Sequence, residues 1–116
     1  MTQVSSPATR VKLTAPQIVA KMAQLQDWRL RGDGADVAIE KTYTFKSYLQ
    51  TLAFVNAVAF IAEKNHHHPE MLVGYKTCTV SWHTHDLGGI SHSDFECALQ
   101  VEALLSGKPA AEPPLG

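Results

Sequence analysis

Cysteine is scarce in this chain, no charge sign dominates, and no apolar run is long. Only Cys78 and Cys97 occur among 116 residues, in segments patterned like a strand and a helix, which is not the spacing of a disulfide framework. Both are read as buried thiols suited to a reducing compartment. Lys and Arg total 10 against 11 Asp and Glu, a formal charge of -1, and the basic residues are scattered. That leaves no footprint for a phosphate backbone and argues against a direct nucleic-acid partner. The richest apolar stretch, Leu52 to Ala62, is too short to span a bilayer, and Met1 to Arg10 is polar where a signal peptide would be apolar. The expectation is a soluble, cytoplasmic protein with no membrane partner. A hydrophobic content of 45% suits one compact core. A single domain is expected over residues 11–108, with mobile termini at 1–10 and 109–116.

Three helix starts are legible, each a hydroxyl residue followed three positions later by a side chain able to reach back: Thr14 with Gln17, Ser47 with Gln50, and Ser91 with Asp94. After Thr14, residues Ile18, Val19, Met22 and Leu25 recur at helical spacing, and Pro16 sits in the first turn where its missing N–H is harmless. After Ser47, one stripe runs through Tyr48, Leu52, Val55, Ala59 and Ala62, while Leu49, Phe54, Val58 and Ile61 widen it beyond a single face. Burial on two sides is implied, so self-association is expected. After Ser91, Phe95, Ala98, Leu99, Val101 and Leu105 give a third helix, closed by Gly107 and Pro109.

Between these helices the pattern changes to alternation. Trp28 to Arg31, a Gly32-Asp33-Gly34 turn, then Val37, Ile39, Tyr43 and Phe45 predict a hairpin whose alternation Lys41 interrupts once. Met71 to Gly74 suggests a short strand, and Cys78, Val80 and Trp82 alternate with Thr77, Thr79, Ser81 and His83. The order α-β-β-α-β-β-α predicts an α+β two-layer sandwich, a four-stranded mostly antiparallel sheet with three helices on one face. The opposite sheet face is left for a partner or ligand.

Histidine supplies the candidate chemistry, because its proton affinity lies near neutrality. Pro69 disfavours helical geometry at the residue before it, so the second helix should end near Asn65 or His66 and release His67 and His68 into extended backbone. Their side chains would then point apart. His85 falls at a strand end beside the permissive Gly88-Gly89 pair. His66, His83 and His92 read as surface residues, Asp94 as a capping carboxylate and Glu63 as a solvated helix residue.

Glu63-Lys64-Asn65-His66-His67-His68-Pro69-Glu70, Tyr75, Thr84-His85-Asp86, Gly89, Ile90-Ser91 and Asp94 together closely resemble the pterin-4a-carbinolamine dehydratase family. Trp28 falls where that family usually has tryptophan. The resemblance implies a hydro-lyase, a 4a-hydroxytetrahydrobiopterin dehydratase. Its pterin substrate is the product left by aromatic amino-acid hydroxylases, and it returns quinonoid dihydropterin for recycling. It further implies no metal or organic cofactor and assembly as a homodimer or homotetramer. By the same resemblance His67, His68 and His85 are catalytic, Asp94 supports them, and Glu63, Trp28, Pro69 and Thr84 lie with the pocket.

The implied reaction fits the residues. Loss of hydroxide from carbon 4a needs one proton delivered to the departing oxygen and another removed from a ring nitrogen, and two histidines on opposite sides supply both. His68 and His85 are expected as that pair, with His67 holding the pterin and tuning their charge. Two rival readings stand beside this one. His66 and His68, at alternate positions, could ligate zinc, though no further cysteine or carboxylate completes a set. Alternatively the chain is a non-enzymatic binding module, like the family's transcriptional dimerisation cofactors or assembly factors.

Overall fold

The structure, a computed structural model, describes residues 11–105. The expected mobile termini, and Gly107 and Pro109, lie outside those residues. The elements are α1 (Ala15–Met22), β1 (Arg29–Arg31), β2 (Ala38–Thr44), α2 (Tyr48–Asn65), β3 (Glu70–Val73), β4 (Thr77–Trp82) and α3 (His92–Leu105), with single 3-10 turns at Gly34–Asp36 and His85–Leu87. The order is the expected one. The strands form one sheet in the order β1-β2-β4-β3, every neighbouring pair antiparallel.

Alternation sorts the sheet into two faces. Ile39, Lys41 and Tyr43 of β2 stand opposite Trp82, Val80 and Cys78 of β4, and this side meets the helices. The core closes with Phe54, Val58, Ile61 and Ala62 from α2 and Phe95, Ala98 and Val101 from α3. A fully buried side chain such as Val58 or Val80 contributes about 1.5–3 kcal/mol by leaving water.

The helices begin where expected but bury slightly different stripes. Thr14 and Gln17 form a complete capping box at α1. The hydroxyl of Ser47 accepts the Gln50 N–H at α2. No residue of α1 is buried; Ile18 and Met22 pack on the core and Val19 stays exposed. A helix of this length turns only one narrow stripe inward, and residue 19 lies about 100° off it. On α2 the buried stripe is Thr51, Phe54, Val58, Ile61 and Ala62, not the stripe through Tyr48 and Leu52. The bulk of Phe54 decides the rotation, because its ring packs 4.7 Å from Tyr43 and 5.0 Å from Phe45. Tyr48, Leu49 and Phe60 are consequently exposed.

Candidate active site

The exit of α2 is set by a single left-handed residue. His66 has φ 52 and ψ 39. The His67 N–H reaches back to the Ala62 carbonyl (3.1 Å) and the His66 N–H to that of Glu63 (3.3 Å). This crossed pair ends a helix sharply, a place where glycine is usual and histidine is among the better-tolerated substitutes. The bend sends the next two side chains to different environments. His67 is buried at 8% exposure, whereas His68 is exposed.

His67 lies between an indole and a carboxylate. Its ring stacks on Trp82 at 5.5 Å and 19°, and its Nε2 is 2.5 Å from Oδ1 of Asp94. Asp94 has no exposed surface. Its other oxygen accepts the Thr84 hydroxyl (2.8 Å) and the Ser91 backbone N–H (2.9 Å). Because the single Thr84 proton goes to Asp94, the 2.7 Å contact between the Thr84 and Ser91 hydroxyls must be donated by Ser91. Only half of the expected capping box therefore forms at α3, with the Ser91 hydroxyl turned to Thr84. A ring donating from Nε2 to Asp94 keeps Nδ1 as its acceptor, so the carboxylate selects the tautomer.

Thr84 ties the second stretch of chain to this centre. Its backbone N–H donates to the Gly89 carbonyl (2.8 Å), closing a loop that turns back through left-handed Gly88. His85 opens that loop and is exposed. Its ring stands 5.7 Å from that of His83 at 85°. His83 is not the surface residue its strand parity suggested: it is half-buried, and its Nδ1 is shielded without a hydrogen-bond partner among the described residues. The strand ends at Trp82, so the parity that would have carried His83 outward no longer applies.

The remaining site candidates divide. Glu63 pairs with His68, its Oε2 2.8 Å from Nε2 of that ring on the surface. Pro69 leads from the histidines into β3. Trp28 is directed elsewhere. It is buried at 6% exposure and donates its indole N–H to Glu102 (3.0 Å), about 12 Å farther along α3 than Asp94 at the usual helical rise. Glu102 also accepts from Lys41 (2.8 Å) and from the Tyr43 hydroxyl. Burial would raise the Glu102 pKa, but the hydrogen bonds from Lys41, Tyr43 and Trp28 prevail and hold it below the ordinary range. The interruption at Lys41 is thus a half-buried anchor between sheet and α3.

A second carboxylate escaped sequence reasoning. Glu40, on the helix-free face and only 5% exposed, accepts from Arg29 (3.0 Å), Arg31 (2.8 Å) and Ser81 (3.1 Å). Burial pushes its pKa up, yet these bonds outweigh burial and lower it. A shallow hollow of about 700 Å³ lies over this face, and another of about 200 Å³ lies between α1 and α3; none of His67, His68 and His85 lines either. Of these three, His68 and His85 are exposed on the surface of the single chain, while His67 is buried. Among the described residues no trio of His, Cys, Asp or Glu is arranged as a metal cage.

Comparisons with known proteins agree with this architecture. A family model described as pterin 4 alpha carbinolamine dehydratase matches residues 11–104. A protein of Paracidovorax citrulli, provisionally named pterin-4-alpha-carbinolamine dehydratase, is 52% identical over 101 residues, covering 87% of each chain. One of the same provisional name from Nitrosomonas eutropha is 50% identical over 80 residues, 69% of this chain and 67% of the relative. Among solved structures, a transcriptional coactivator/pterin dehydratase from Brucella melitensis superposes with a TM-score of 0.75 at 26% identity, covering 81% of this chain and 98% of that one. A pterin dehydratase-like RuBisCO assembly factor of the alpha-carboxysome gives a TM-score of 0.60 at 26% identity, covering 72% and 94%.

Proposed function

The chain belongs to the pterin 4 alpha carbinolamine dehydratase family, and from that premise we propose that it is a cytoplasmic hydro-lyase that removes water from a 4a-hydroxytetrahydropterin by histidine acid/base catalysis. One imidazole protonates the oxygen on carbon 4a as the carbon–oxygen bond breaks. Another takes the proton from the adjacent ring nitrogen, whose electron pair forms the new carbon–nitrogen double bond. Water and quinonoid dihydropterin leave, and the two protons balance.

The observation that carries this reading is the join made by Asp94. That carboxylate binds His67 on one side and Thr84, the neighbour of His85, on the other, so two distant stretches of backbone meet at one buried point. In the proposed mechanism His68 and His85, both exposed, exchange protons with the substrate. His67, held by Asp94, positions the pterin. Positioned acid/base groups of this kind contribute on the order of 100-fold to 10,000-fold. The test follows disappearance of freshly generated 4a-hydroxytetrahydropterin with wild-type protein and with His68→Ala and His85→Ala. Wild-type protein is expected to accelerate the decay, and each variant to lose about 100-fold or more; wild-type turnover in both variants would overturn the assignment.

Two further features belong to the same proposal. Exposed Tyr48, Leu49 and Phe60 on α2 support assembly into a homodimer or homotetramer. The reaction implies a supplier of 4a-hydroxypterin, an aromatic amino-acid hydroxylase. A non-enzymatic binding role draws support from the helix-free sheet face, where Leu72 is 75% exposed, and from the assembly-factor relative. A scaffold role alone, however, gives the exposed histidines His68 and His85 nothing to do.

A further inference from the structure

Two of the three histidines at the α2 exit have a carboxylate that orients them. Asp94 holds Nε2 of His67 and Glu63 holds Nε2 of His68. His85 has no such partner among the described residues; the contact that its ring makes is with His83, edge to face at 5.7 Å and 85°. The backbone between the two rings is fixed, because Thr84 is buried and bonded to Asp94, Ser91 and Gly89. The His83 ring is itself half-buried, its Nδ1 shielded and without a hydrogen-bond partner among the described residues.

We propose that His83 is the positioning residue of His85, holding that imidazole by ring contact as Asp94 holds His67 and Glu63 holds His68. The role assigned to the held ring rests on the dehydratase reading. An aromatic brace differs from a carboxylate in one useful way. It restrains the His85 ring while leaving both ring nitrogens without a hydrogen bond among the described residues, which suits a group that must exchange a proton with substrate.

The test compares His83→Ala, His83→Gln and His83→Phe with wild type by turnover and by NMR of the His85 ring, with circular dichroism to confirm folding. Loss of the ring is expected to lower kcat about tenfold through misplacement of His85 while KM stays within about twofold. Phe, which keeps the edge-to-face contact, should restore kcat to within about threefold of wild type. The His85 ring signals should move in the Ala and Gln variants toward those of a mobile exposed imidazole, and remain near wild type in Phe. Unchanged His85 signals in Ala or Gln would overturn the proposal, as would a Phe variant as impaired as Ala. If wild-type protein fails to consume the pterin, the dehydratase reading falls, and the His85 signals alone still decide whether His83 braces that ring.

Discussion

Replacing Asp94 by Asn separates charge from shape at the point where the site is joined. The carboxyl group is fully buried and accepts from the Thr84 hydroxyl, the Ser91 N–H and Nε2 of His67. An amide of the same shape has one acceptor oxygen. If that oxygen keeps Thr84 and Ser91, the amide NH2 faces Nε2 of His67, and donor meets donor unless the imidazole shifts its proton to Nδ1. One charge-assisted bond is lost and two are reduced to neutral ones, about 2 to 3 kcal/mol in all. For a domain near this size that lowers the thermal midpoint by roughly 10 to 20 °C. Calorimetry reads the midpoint and nitrogen-15 NMR reads the tautomer of His67. A midpoint within about 2 °C of wild type, with the Nε2–H tautomer retained, would refute the claim that Asp94 carries the junction. Asp94→Ala is less informative, since it strands three buried partners at about 1–3 kcal/mol each and approaches the whole stability of a small domain.

Other consequences follow from the same geometry. His66→Gly removes a side chain from a left-handed position and should raise stability by up to about 1 kcal/mol, read as a higher urea midpoint with unchanged slope; a lower midpoint would show that the side chain of His66 contributes more than its backbone costs. The Glu40 pKa is lowered by folding, so its stabilising effect is present above the ordinary carboxylate range and disappears as pH falls through its lower folded value. Glu40→Gln should therefore weaken wild-type stability at neutral pH and flatten its decline below about pH 4.5, measured by denaturant unfolding across pH; parallel curves for the two proteins would contradict this.

Local chemistry made the elements readable, and long-range pairing hid much of the site. Thr14, Ser47 and Ser91 marked helix starts because a cap needs only a neighbour three residues away. The alternation of Cys78, Val80 and Trp82 gave a strand face for the same reason. Glu40 stayed hidden because a charge at a polar parity position reads as solvated; only the register that sets Arg29 opposite it, with Ser81 across the other edge, buries it. Lys41 looked like a flaw until α3 brought Glu102 over it. Asp94 announced itself as a cap, which it is in part, but its bonds to His67 and Thr84 span 27 and 10 residues, beyond any local signal. The spacing of His67, His68 and His85 singled out these residues without revealing that the first is buried and the other two exposed.

The most direct test of the account is an NMR titration of the three histidine rings with a non-reacting dihydropterin. If His67, His68 and His85 meet one heterocycle, their ring signals shift together along a single saturation curve with one ligand per chain. Shifts confined to His67 and His68, or a separate curve for His85, would contradict it.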